Sequence, residues 1–152
     1  MKLNTARFGE VEANSDNTWA FLSPILGFEK FKIFIHLTQD NSPFEFIQSM
    51  EDEQLTFVVA DPFLFNANYE FALEQRWLDM LHIEKEEQVF LRAIVTVRSS
   101  TDISINLKAP IVMNINTKEA AQIILDRPEY KTRHSIIDAN EREASHADIV
   151  EK

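Results

Sequence analysis

Four histidines, His36, His82, His134 and His146, are the side chains best suited to moving protons or holding a metal. Their spacing supports neither role. No two stand four apart as on one helix face, and no cysteine completes a ligand set. A Gly-rich phosphate loop, a G-x-S-x-G elbow and a dinucleotide fingerprint are all missing from a chain with two glycines. Among 25 acids, Asp61 and Glu70 are placed to meet at a cleft as acid and base. No orienting histidine or nucleophile accompanies them. A hydrolase built on scattered carboxylates therefore ranks last, and recognition ranks above catalysis.

Three stretches carry residue types suited to recognition. The first is Leu55 to Tyr69. Leu55–Ala60 is an apolar run rich in β-branched residues, fit for a strand buried on both faces. Asp61-Pro62 stops it, and Phe63, Leu64 and Phe65 follow at its exit. These three either pack under a loop or form an aromatic ledge exposed for a partner. The second stretch, Gln39–Gln54, holds Asp40, Glu45, Glu51, Asp52 and Glu53 with no Lys, Arg or His. Phe44, Phe46, Ile47 and Met50 are interleaved with these acids. The pattern is either a solvated edge over a core face or an acidic, aromatic docking strip. The third is Tyr130-Lys-Thr-Arg-His134, either a latch onto the body's own carboxylates or a site for an acidic partner.

The elements that must position these stretches are short strands. Lys2–Thr5 and Glu10–Ala13 suggest a hairpin turning at Gly9. Thr18–Leu22, Phe31–Leu37, Phe44–Ser49 and Leu55–Ala60 follow, separated by Asn, Asp, Ser and Pro turns. In Phe31–Leu37 the odd residues make one face and Lys32, Phe34 and His36 the other. Gly27 is expected at a positive φ or a close backbone approach. Leu73, Trp77, Met80 and Leu81 change the period and predict one helix over Leu73–His82. Glu70, just before it, is either a helix cap or a half-buried contact between Tyr69 and Phe71. Val89–Val97 is the longest strand, followed by Ile103–Leu107 and Ala120–Leu125, with Pro110 at a bulge or edge. Many short strands and one helix predict an all-β domain, a small barrel or sandwich. The alternative is an α+β domain with a larger helical share.

The 152 residues suffice for one domain with a real core, and 45% apolar content argues against disorder. The formal charge of −10 disfavours direct nucleic-acid binding and suits a basic protein partner, or merely keeps the chain soluble. No stretch approaches a membrane span and no apolar signal core opens the chain, so a cytoplasmic protein is expected. Residues 1–137 are expected to form the domain and 138–152, without aromatics, an acidic tail whose removal leaves the domain folded.

Several motifs resemble one family. They are Ser42-Pro-Phe44, Gln48-Ser49, Phe57-Val-Val-Ala-Asp-Pro-Phe63, Tyr69-Glu-Phe71, Ile94-Val-Thr-Val97, Asn106-Leu-Lys-Ala-Pro-Ile-Val112 with Asn114, and Tyr130-Lys-Thr-Arg-His134. In this order, over about residues 1–136, they resemble the flagellar assembly factors called FliW. The chain departs from the family at Ser23-Pro-Ile-Leu-Gly-Phe28, which lacks the first glycine of a Gly-Ile-Pro-Gly-Phe turn. It departs again at Ser135, where a proline usually follows the Arg-His pair. The resemblance implies a cytoplasmic bacterial protein with a small β-barrel-like fold, no cofactor and no catalysis. It implies two competing protein partners, flagellin before export and the carbon storage regulator, a CsrA-type translational repressor of flagellin. Residue reading and resemblance together give a candidate partner-binding set: Phe44, Phe46, Asp61, Phe63, Phe65, Tyr69, Glu70, Phe71, Asn106, Lys108, Arg133 and His134. The rival is a small barrel carrying an apolar ligand, suggested by twelve Phe and the missing catalytic set.

Overall fold

A computed structural model describes residues 1–136. The chain opens with a hairpin of β1 (Lys2–Thr5) and β2 (Gly9–Glu12). Gly9 takes φ 70° at its turn, and the Thr5 hydroxyl braces the loop by accepting from Phe8 N–H at 2.8 Å and donating to the Gly9 carbonyl.

The main sheet holds β3 (Thr18–Ser23), β4 (Ile33–Leu37), β5 (Phe44–Ser49), β6 (Thr56–Ala60) and β7 (Val89–Ser99). It continues with β8 (Asp102–Ile105), β9 (Ile111–Asn114), β10 (Glu119–Gln122) and the two-residue β11 (His134–Ser135). Strands β3 to β7 run as antiparallel neighbours. β10 pairs parallel with β3 and antiparallel with β9. The ring then closes because β7 is long enough to serve two partners. Its first half, Val89–Arg92, pairs with β9, and its second half, Val95–Ser99, pairs with β8. The domain is therefore mainly β with one α-helix among the described residues, a closed barrel with a two-strand extension.

Alternation along β7 separates two cores. Phe90 and Ile94 pack with Trp19, Phe34, Ile47, Val59, Ile111 and Met113, which fill the ring. Val89, Leu91, Ala93 and Val95 face a second cluster with Tyr69, Trp77, Leu81, Leu107 and Tyr130, outside it. A strand covered on both faces needs a continuous apolar run, and Val89–Val97 supplies one. β6 matches its expected two-sided burial only at Val59 and Ala60, while Thr56, Phe57 and Val58 are half-buried. β4 is covered on both faces too, since Phe34 and Ile35 are both buried.

Three expectations need correction. The helix α1 spans only Gln75–Met80, and Met80 is 40% exposed, so the expected stripe keeps Leu73, Trp77 and Leu81 and loses Met80. The reason is at its end: His82 adopts φ 56°, and Ile83 N–H returns to the Leu78 carbonyl at 2.9 Å, which closes the helix in a Schellman-type turn. Pro110 is neither edge nor bulge; it is buried just before β9, and its carbonyl accepts from Ile123 N–H. The register shifts lie instead between Ala120 and Ala121 and between Val97 and Ser99.

Gly27 sits at φ 89° in a turn closed by Phe28 N–H on the Ile25 carbonyl at 2.8 Å, the geometry of a type II turn. A Cβ there meets nothing within 4 Å. Gly27→Ala is therefore expected to cost about 1 kcal/mol from backbone strain alone, seen as a lower denaturant midpoint with unchanged slope.

Candidate partner-binding surface

The surface grows from the end of β6. Asp61 caps a 3-10 turn, Pro62–Leu64, its carboxylate accepting from Phe63 N–H at 3.0 Å. The chain then folds back on itself: Phe65 and Asn66 N–H both reach the Pro62 carbonyl, and Tyr69 N–H reaches the Asn66 carbonyl. Asp61 is thus a turn-former and makes no acid–base pair with Glu70. This rigid turn leaves Phe63 46% and Leu64 60% exposed. These two are exposed as a ledge requires, while Phe65 is half-buried and stacks on Phe44 at 6.4 Å between centroids.

Three motifs far apart in sequence meet behind the ledge. Tyr69 is buried and donates its hydroxyl to the Leu107 carbonyl at 2.6 Å. Burial, with Tyr130 alongside, pushes its phenol well above the usual range. Leu107 belongs to a loop shaped by Asn106, whose Oδ1 accepts from Lys108 and Ala109 N–H. Lys108 donates its ammonium to the Leu125 carbonyl. Tyr130 stacks edge-on against Tyr69 at 4.6 Å, accepts from Glu70 N–H at 2.9 Å and donates to the Glu70 carbonyl at 2.8 Å. The Tyr130–His134 stretch is thus a latch, but onto Glu70 backbone rather than carboxylates. Arg133 is exposed, and His134 pairs with Ile105 in β11.

Tyr130→Phe removes both bonds to Glu70 and leaves its N–H without a partner, while its carbonyl keeps the Arg127 guanidinium at 3.3 Å. It is expected to lower stability by about 1–2 kcal/mol, as read by chemical denaturation, while the ring contact with Tyr69 persists.

Other candidate residues are placed differently from their expected roles. Phe46 is buried, covered by Phe8 edge-on at 5.0 Å and by the Arg7 guanidinium at 4.7 Å. The hairpin β1–β2 hides it, so it anchors no partner. Glu70 carries an exposed side chain five residues ahead of α1, whose N-cap is Glu74. It is therefore neither a helix cap nor a half-buried contact. Two acids of the strip are spent on backbone: Glu51 accepts from Lys32 and Ile33 N–H, and Asp52 from Gln54 N–H.

Glu45 is the one acid of that strip drawn inward. Arg92 donates to it through Nε at 2.7 Å and Nη2 at 3.1 Å, and His36 Nε2 lies 2.7 Å away. Burial acts to raise its pKa, but the bonds to His36 and Arg92 outweigh that and hold the carboxyl at about 2. His36 stacks on Trp19, and Arg92 lies over Phe90. This trio packs one end of the barrel. A lone Arg inside the apolar run Val89–Val97 was the signal for it.

Beside the ledge lies a groove of about 650 Å³. Phe63, Tyr69, Phe71, Leu73, Leu78, Ile83, Val89 and Leu91 make its apolar lining, and Glu70, Glu84, Lys85 and Glu86 complete it. A smaller groove of about 290 Å³ shares Phe71 and Leu73 and reaches Trp77, Ile124 and Leu125. Trp77 Nε1 is the buried side-chain donor without an acceptor among the described residues. The aromatic stretch after β6 and the Tyr69-Glu-Phe71 motif pointed to Phe63, Tyr69, Glu70 and Phe71, and periodicity to Leu73, but Leu78, Ile83, Val89 and Leu91 were missed as lining because they converge only through folding. No group of His, Cys, Asp and Glu among the described residues is arranged to hold a metal. No helix among them is long and apolar enough to cross a membrane.

Comparison with known proteins matches this architecture. The family model described as FliW protein matches residues 2–136. The chain is similar to the flagellar assembly factor FliW of Desulfitobacterium hafniense strain DCB-2, 44% identical, covering 90% of this chain and 91% of that one. The FliW of Ruminiclostridium cellulolyticum is 38% identical, covering 91% of this chain and 95% of its own. A crystal structure of the flagellar assembly factor FliW matches with a TM-score of 0.82 at 35% identity, covering 90% of this chain and 96% of that one. Identity at this level over nearly the whole described domain, together with a shared barrel, places the chain in the FliW family of flagellar assembly factors.

Proposed function

We propose that this flagellar assembly factor is a non-catalytic cytoplasmic switch between two protein partners. It holds flagellin before export. When free, it binds the carbon storage regulator and relieves repression of flagellin translation. The observation that supports a binding role is the ledge: Phe63 and Leu64 are held outward on a capped turn braced by Tyr69. Large apolar side chains fixed in solvent suit partner anchors, because little ordering entropy is lost on contact. The metal and nucleophile patterns absent from the sequence favour binding over catalysis.

The test is co-purification of the tagged chain with untagged flagellin and, separately, with the regulator. Each is expected to be captured alone, and added flagellin is expected to release bound regulator in proportion. Capture of neither partner sinks the reading, and a stable complex holding both without displacement sinks the switch. His82→Gln and His134→Gln are expected to leave both captures intact, since neither side chain lines the groove; loss of capture by either in a folded variant overturns that.

A further inference from the structure

We infer that the 650 Å³ groove between the Phe63 ledge and the Ile83–Leu91 segment is the seat of a cationic amphipathic segment of a partner protein. The inference rests on the binding role proposed above and specifies the chemistry of what binds.

The floor and the rim ask for different things. Phe71, Leu73, Leu78, Ile83, Val89 and Leu91 come from four separate places: the extended chain before α1, α1 itself, its exit and the start of β7. All except Ile83 are half-buried rather than buried, so they retain apolar area that a partner would cover. Phe63 extends this floor outward at 46% exposure. The rim is acidic. Glu70, Glu84 and Glu86 stand at the groove against the single cation Lys85.

These three carboxylates enter no ion pair among the described residues. Glu45, Glu129 and Glu74, by contrast, are matched to Arg92, Arg127 and Arg76. Arg127 stands near Glu70 and donates to its carbonyl but is paired with Glu129, so the rim keeps a net negative charge. An apolar trough edged in this way disfavours an acidic occupant and favours Lys or Arg flanking apolar anchors. Such charges steer encounter and set orientation, while the apolar floor slows release. The backbone under the rim is fixed in advance. Tyr130 clamps both polar groups of Glu70, and the Gln88 side chain accepts from Glu84 and Lys85 N–H. A preorganised rim loses little entropy on binding.

The probe is a labelled synthetic helical peptide with Leu at i, i+3, i+4 and i+7 and Lys on its other face, read by fluorescence anisotropy. A twin carries Glu in place of Lys. The full chain is expected to bind the Lys peptide saturably at one site and to bind the Glu peptide at least about tenfold more weakly. Glu70→Gln, Glu84→Gln and Glu86→Gln together are expected to weaken binding about tenfold or more and to flatten its salt dependence. Phe63→Ser is expected to weaken binding mainly by faster release. A control with the same charge change, Asp16→Asn, Asp40→Asn and Asp102→Asn together, separates the groove from net charge. Equal weakening in both triple variants overturns the inference, as do equal binding of the two peptides and absence of binding. Flagellin and regulator capture distinguishes the two levels. If the groove triple variant still captures both partners as the unaltered chain does, the groove assignment fails and the switch stands. If the unaltered chain captures neither, the switch fails whatever the peptide does.

Discussion

Glu45→Ala is expected to lower stability by about 2–4 kcal/mol, read as a drop in denaturant midpoint. Half-buried ion pairs are costly to break because the surviving charge keeps its desolvation and loses its partner. Here the survivor is Arg92, which would keep the Leu91 carbonyl and the Phe90 ring but lose both bonds to the carboxylate. The same argument fixes a second outcome. Replacing both members, Glu45→Leu with Arg92→Met, is expected to recover much of that loss, because no charge is left stranded. A double variant as unstable as the single one would show that the trio is held by shape rather than by charge.

The pH dependence has a definite sign. The Glu45 carboxyl sits at about 2 in the fold against an ordinary 4.5. A depressed folded pKa gives stability that is fully present above the unfolded value and is lost as pH falls through the folded one. The contribution is therefore complete above about pH 4.5 and disappears on acidification toward pH 2. Its full size is on the order of 3 kcal/mol from the linkage relation, an upper figure because water reaches part of the site. Urea midpoints of wild type and Glu45→Gln are expected to converge over this window. A gap that stays constant down to pH 2 would assign the effect to packing.

Tyr69→Ala is expected to cost about 3–5 kcal/mol and to weaken partner capture as well. The ring is buried and touches Phe63, Phe71 and Tyr130, so its removal opens a cavity in the outer core. It also strands the Leu107 carbonyl and takes away the support under the exposed Phe63. Tyr69→Phe separates the parts. It loses only the 2.6 Å hydroxyl bond, for about 1–2 kcal/mol, and keeps the ring beneath the ledge. Capture of flagellin and regulator is expected to survive Tyr69→Phe and to fall with Tyr69→Ala at temperatures where both are folded. Equal capture by both variants would mean that Phe63 needs no support from below.

The sequence by itself determined the class of this protein. Short apolar runs broken by Asn, Asp, Ser and Pro dictate strands and turns. Gly27 announced its positive φ because little else tolerates that conformation at a type II turn. Missing ligand and nucleophile spacing ranked recognition above catalysis, and the motif order named the family that the comparisons show. Local reading went astray where burial depends on what arrives from elsewhere. Phe46 looked like an anchor, but the hairpin at residues 1–13 covers it. Glu70 looked enclosed by its aromatic neighbours, but its side chain leaves the surface while Tyr69 and Tyr130 are buried. Asn106 and Lys108 read as partner contacts, yet they shape a loop and hold a carbonyl 17 residues away. Only the tertiary structure decided that Tyr69, Leu107 and Tyr130 meet, that Glu45 on β5 finds Arg92 on β7 across the intervening β6, and that the groove exists. Tyr69 and Leu107 are 38 positions apart and Glu45 and Arg92 47 apart, and the groove gathers loop, helix and strand between Phe63 and Leu91; no local period encodes which of these residues folding brings together.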